Sequence, residues 1–171
     1  MPARSYDRTA GQAPERINDA LTDIQVALCD HALTTGTLGI ATTTSRVRTS
    51  AAVYSLIDGA LCLKASTDNL FILAGTVNNA TFNVFVLTLK ADGTGTARMG
   101  TAGASLAAVA WPAIPAGEIV VGFVIINPTG TGNFVGGTTA LNDGTVVPNA
   151  VYVNTPFSFN PNVLTLPHSV S

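Results

Sequence analysis

Charge is what this chain has least of. Acidic and basic side chains make up 11% of its 171 residues, against about 25% in an ordinary soluble domain. Eight of the eighteen lie in the first 31 residues, and beyond Arg98 only Glu118 and Asp143 remain. A free monomer of this size keeps itself soluble with charge. A surface of threonine, asparagine and glycine instead suits a protein packed against neighbours; the plainer reading is a neutral extracellular β-domain. The net charge is −2, so no basic field calls for nucleic acid. Cysteine is also scarce. Cys29 and Cys62 are too few for a disulfide framework and read as free thiols of a reducing compartment, with one bridge between them as the alternative. No stretch approaches the roughly 20 apolar residues of a membrane span. The opening MPARSYDRTAG is charged and has no apolar run, which predicts no signal peptide.

The groups that carry chemistry are thinly spread. A Ser/His or Cys/His nucleophile pair would need His31 or His168, and both fall in predicted appendages. General acid–base work wants two carboxylates in one cleft. After Asp92 only Glu118 and Asp143 are available, and both read as loop residues. Asp58, Asp68, Asp92 and Asp143 fall at predicted turns, without the spacing of a calcium loop. The glycine-rich run NPTGTGNFVGG (127–137) lacks the Gly-Lys-Ser/Thr and following helix of a phosphate loop. Its glycines read as turn residues. Asn79-Ala80-Thr81 matches a glycosylation acceptor, but nothing suggests secretion. Trp111 is the only tryptophan and stands beside Pro112, so it reads as a packing residue. No catalytic residue, metal, cofactor or small-molecule ligand is expected.

What is present is a pattern of apolar runs and turns. Residues 1–13 are polar and aperiodic. Such an arm orders only when tied down, so Arg4, Tyr6 and Arg8 are expected to contact a partner. Pro14 to about Leu33 reads as the one helix, with Pro14 in its first turn and Glu15 at the positive end of the dipole. Ile17, Leu21, Ile24 and Leu28 recur at heptad spacing, with His31 at the next position of the register. Leu at a and Ile at d favour three or four strands, which points to an oligomer seam. The same stripe would also serve to pack the helix on its own domain.

From Thr34 onward turn signals recur. Asp58-Gly59 joins VYSLI to ALCLK as a two-residue hairpin. Leu70–Leu73, Phe82–Ala91, Thr94–Met99, Ile119–Ile126, Thr145–Val147 and Ala150–Val153 read as strands, and Ser105–Ala110 as a weak one. FNVFVLTL and IVVGFVII are apolar on both alternating faces. In the second, Ile119, Val121, Phe123 and Ile125 would point one way and Val120, Gly122, Val124 and Ile126 the other. Strands of this kind want both faces covered, and a subunit interface is the simplest second cover. The expected fold is mainly β: an antiparallel sandwich or jelly-roll-like domain at 36–155, preceded by the arm and helix (1–35) and followed by an extended tail (156–171).

Two runs carry a resemblance. WPAIPAGEIVVGFVIINPTGTGNFVGGTTALNDGTVVPNAVYVN (111–154) resembles a segment recurring in virion structural proteins of tailed bacteriophages, and DALTDIQVALCDHALTTGTLGI (19–40) is similar to the front of the same proteins. Together they cover somewhat under half the chain. The resemblance implies a capsid decoration or cement protein, made in the host bacterial cytoplasm and placed on the virion surface. It also implies a homotrimer of β-domains that clamps neighbouring copies of the major capsid protein. The chain departs from it in having no separate immunoglobulin-like repeat or receptor-binding tip. The competing reading is a tail, fibre or neck module that binds host carbohydrate or another virion protein.

Overall fold

A computed structural model of the chain describes residues 30–155. Over these residues the protein is mainly β, with twelve strands and no helix beyond a single 3-10 turn at Leu106–Ala108. The strands are β1 (His31–Ala32), β2 (Leu38–Ile40), β3 (Arg46–Thr49), β4 (Val53–Ile57), β5 (Ala60–Lys64), β6 (Thr67–Ile72), β7 (Thr76–Val77), β8 (Asn83–Lys90), β9 (Gly95–Met99), β10 (Glu118–Ile126), β11 (Phe134–Val135) and β12 (Val151–Asn154). Every pairing is antiparallel. They form four sheets, in the orders β12-β10-β8-β9, β1-β4-β5, β2-β3-β6 and β11-β7.

Local chemistry sets the turns. Asp58 and Gly59 take φ of 50° and 76°, the left-handed pair of a type I′ hairpin, so β5 folds straight back on β4. After β8 the Gly93 amide donates to the Lys90 carbonyl at 2.9 Å, and the Asp92 carboxylate accepts from the Thr94 amide at 2.8 Å. That fixes the return into β9.

The sheets share one core. Phe71, Phe85 and Phe134 are fully buried, and the rings of Phe85 and Phe134 meet edge-on with centroids 5.9 Å apart. Around them lie Val53 and Ile57 of β4, Leu87 and Leu89 of β8, and Ile119, Val121, Val124 and Ile126 of β10. The Leu38 amide donates to Asn154 Oδ1 at 2.9 Å, which ties β2 to β12.

Several expectations are corrected. The helix cannot run to Leu33, and the β region begins before residue 36. His31 is in β1, paired with Leu56, and the Leu33 amide donates to the Tyr54 carbonyl at 2.7 Å. Asp30 marks the change, with φ of 62°. Ser105–Ala110 is not a strand: it makes the 3-10 turn, and only Ala110 bridges back to Thr101. Thr145–Val147 is a turn, because Asp143 Oδ1 accepts from the amides of Thr145 and Val146. Asp68 and Glu118 sit in β6 and β10 rather than in turns or loops.

The face assignment of β10 is also changed. Its register against β8 shifts between Val120 and Gly122, so Val121 is an extra, bulged residue. A bulge reverses the alternation beyond it. Ile119, Val121, Val124 and Ile126 therefore face the core, while Phe123 and Ile125 turn to the opposite side beside Val84. Glycine is required at 122 by close approach: a Cβ there would run into the Val153 carbonyl and the Leu38 side chain.

Candidate functional site

The side chains singled out as interface candidates fall in two places. Arg4, Tyr6, Arg8, Ile17, Leu21, Ile24 and Leu28 lie outside the described residues, as does Cys29. His31 is half-buried in β1, at the edge of the β1-β4-β5 sheet.

The structure brings together one charged cluster that the sequence did not reveal. It lies on the face of β8, β9 and β10 turned away from the core. Arg98 Nη2 donates to Glu118 Oε1 at 2.6 Å, and Arg98 Nε to Glu118 Oε2 at 3.2 Å. Thr88 Oγ1 donates to Glu118 Oε2 at 2.7 Å, and Lys90 Nζ is 4.0 Å from Oε1. Only 3% of the Glu118 side chain is exposed. Burial pushes its carboxyl up, but the Arg98 and Thr88 hydrogen bonds and the two cations outweigh it, so its pKa lies below the ordinary glutamate value. The three hydrogen bonds and both cations that reach the Glu118 carboxylate come from the neighbouring strands β8 and β9. The carboxylate clamps three strands. The residue pairs were in view in the sequence, but only the register of β8 with β9 and β10 makes them neighbours.

Among the described residues four further carboxylates, Asp30, Asp68, Asp92 and Asp143, also accept hydrogen bonds from their own chain. Asp68 accepts from the Thr42 amide, Asp143 Oδ1 from Thr145 Oγ1 at 2.6 Å, and Asp30 Oδ1 from the Asp58 amide at 3.1 Å. Hydrogen bonds from Thr42, Thr94 and Thr145 hold Asp68, Asp92 and Asp143 below their ordinary values. Tyr152 is shifted the other way, upward, by burial. Among the described residues no three His, Cys, Asp or Glu side chains gather as a metal site would need, and no helix is long and apolar enough to cross a membrane. In the glycine-rich loop Asn79 Nδ2 donates to the carbonyls of Gly130 and Gly132, and Phe134 plunges into the core. The sequon asparagine thus pins the loop.

Two apolar features remain. A groove of about 190 Å³ is lined by Val84, Leu106, Val109, Trp111, Phe123 and Ile125, with Val153 closing one side. Trp111 meets Phe123 edge-on, with ring centroids 4.9 Å apart. This is the second cover of β8 and β10, and the chain supplies it itself: Val84, Val86 and Val120 on that face are all buried. The doubly apolar strands therefore do not require a neighbouring subunit. The second feature is the outward side of the β4–β5 hairpin. There Tyr54 is 44%, Leu61 67% and Leu63 60% exposed.

No family model, curated protein or solved structure matches the chain.

Proposed function

We propose that the protein is a structural component of a bacteriophage virion, which decorates the capsid and cements it by bridging neighbouring capsid subunits. It acts by adding buried interface, without chemistry or a cofactor. The observation that carries this reading is how little charge the chain has to place on its surface, 11% of its residues. Asp30, Asp68, Asp92, Asp143 and Glu118 are all bonded within the chain. Asp30, Asp68 and Asp92 stay exposed, on a surface otherwise rich in threonine and asparagine, with apolar side chains such as Ile72, Val135 and Val151. Such a surface suits close packing on a neighbour. The phage resemblance of residues 19–40 and 111–154 supplies the neighbour.

In this reading the four antiparallel sheets form a sandwich or jelly-roll-like body. Three copies assemble as a homotrimer, and Arg4, Tyr6 and Arg8 reach the major capsid protein. A receptor-binding module would instead show exposed aromatics beside carboxylates. Among the described residues Tyr54 is the one large aromatic side chain that is exposed.

A standard protein interface buries about 1,600 Å², and each apolar Å² contributes roughly 25 cal/mol before the costs of association. Repeated over a shell, a modest net gain per contact raises the temperature at which the shell fails. With so few charges involved, most of the gain should survive high salt. The test is to heat particles with and without this protein and follow genome release at low and high salt. A higher release temperature at both salts is expected. Equal temperatures would sink the cement reading.

A further inference from the structure

The β1-β4-β5 sheet ends on a bare strand. We infer that this strand, β5, is a self-association edge: two copies of the chain pair their β5 strands antiparallel, about a two-fold axis at Cys62. The inference does not rest on the capsid reading. Beside a threefold contact, the pairing would link copies of different trimers.

The hairpin fixes which groups reach that edge. The Tyr54 amide donates to Thr34 Oγ1 at 2.9 Å, and the Tyr54 carbonyl accepts from the Leu33 amide at 2.7 Å. Both backbone groups of Tyr54 therefore point to the β1 side, away from Leu63, its opposite residue in β5. That makes Tyr54–Leu63 and Leu56–Leu61 the non-hydrogen-bonded pairs of the ladder. The amides and carbonyls of Leu61 and Leu63 then project from the free side of β5, with no partner among the described residues.

Nothing blunts this edge. β5 contains no proline, its pairing with β4 runs without a bulge, and the side chains beside the bare groups are Leu61 and Leu63, both largely exposed. Such an edge is a template for another strand. The other edge strands of four or more residues, β6, β9 and β12, already have neighbours. β9 lies against β6, where Gly95 comes close to Leu70 and Phe71, and Asn154 of β12 bonds to β2.

The strand that fits is a second β5. When Leu61 of one copy faces Leu63 of the other, each pair exchanges both its backbone bonds, and Cys62 lies opposite Cys62 on the axis. The charges agree with that register. Asp58 stands at one end of the strand and Lys64 at the other, and neither forms an ion pair among the described residues. Lys64 then lies across from Ala60 of the second copy and diagonal to its Asp58, within reach of a long side chain. The two-fold axis makes that contact twice. The leucines pack flank to flank, and their outer tips stay open to solvent. A contact this small belongs to the weak class, below about 1,200 Å², and gains from any assembly that holds many copies close together.

Cross-linking of the full-length protein tests this, with Cys29→Ser removing the other thiol. In the proposed register the two Cys62 residues face each other at about 4.5 Å between Cα atoms, inside the span of a disulfide. Copper-catalysed air oxidation should join them, read from the mass of the linked peptide. Leu63→Pro takes away an outward amide and leaves the bonds to β4. It should slow the cross-link at least about tenfold, because a bond is lost on each side of the axis. Lys64→Glu should slow it severalfold, more at low salt than at high. Unchanged Trp111 fluorescence, and unchanged alkylation of Cys62 in dilute protein, show that each variant is folded with its thiol equally exposed. In sedimentation the reduced parent should gain mass with concentration, and Leu63→Pro should not. A parent that keeps one mass up to about millimolar concentration, the weak limit of specific binding, would overturn the proposal. So would a cross-link that forms equally fast in Leu63→Pro and Lys64→Glu, as random collision predicts.

Discussion

The strands β8 and β10 and the strands β4 and β5 solve the same problem differently. All four are rich in aliphatic residues. In β8 every residue from Asn83 to Leu89 is buried. The core takes one face, and Trp111, Leu106 and Val109 lie over the other. In β4 burial alternates, and the outward side chains meet nothing among the described residues that hides them. The difference does not lie in the strands themselves. It lies in whether a later or earlier segment of chain is long enough, and apolar enough, to return across the second face. For β8 and β10 the segment between β9 and β10 does so. For β4 and β5 no described segment does so.

That comparison can be broken in order of expected effect. Phe85→Ala removes a ring that both the core and Phe134 enclose, and should cost about 3–5 kcal/mol in urea unfolding. A smaller loss would mean that the core relaxes around the gap. Glu118→Gln leaves Arg98 without its ion pair on the covered face. Because Arg98 keeps 28% of its side chain exposed, water recovers part of the loss, and about 2–3 kcal/mol is expected.

The same variant has a pH signature. Glu118 has its pKa lowered by folding, so its contribution is present above the unfolded value of about 4.3. It disappears as pH falls through that value and then through the folded pKa. Unfolding free energy of the parent should drop over that acid range more steeply than that of Glu118→Gln. Parallel curves would show that the clamp contributes nothing.

Trp111→Ala uncovers Phe123 and opens the groove. The ring is only half-buried, so about 2 kcal/mol is expected, below the figure for a fully enclosed ring. Increased binding of an apolar fluorescent dye would accompany it. The smallest effect sharpens the contrast most. Leu61→Ala on a bare face should change stability by less than about 0.5 kcal/mol. Calorimetric melting of the parent and the variant checks it, and a larger loss would show that the face is covered in solution.

Much of this architecture was legible in the sequence. Asp58-Gly59 announced its hairpin because only left-handed residues fit a type I′ turn. β8 and β10 followed from continuous apolar runs ending at Asp92-Gly93 and Asn127-Pro128, and β9 from its place as the return after the Asp92-Gly93 turn. The short β7–β11 pair had no such signal. Two residues of Thr-Val and Phe-Val have no period to read, and they pair across more than fifty residues of intervening chain. The Arg98–Glu118–Thr88 clamp was hidden for a similar reason, since cross-strand neighbours depend on register and not on spacing.

Local rules by themselves determined the Asp58-Gly59 and Asp92-Gly93 turns, the long strands β8 and β10 and how little charge the chain can place on its surface. These follow from backbone sterics and composition, which act residue by residue. Tertiary structure alone decided which face of each strand is covered. One bulge at Val121 exchanged the roles of Phe123 and Val124, because the side-chain period of a strand is two and a single inserted residue inverts everything beyond it.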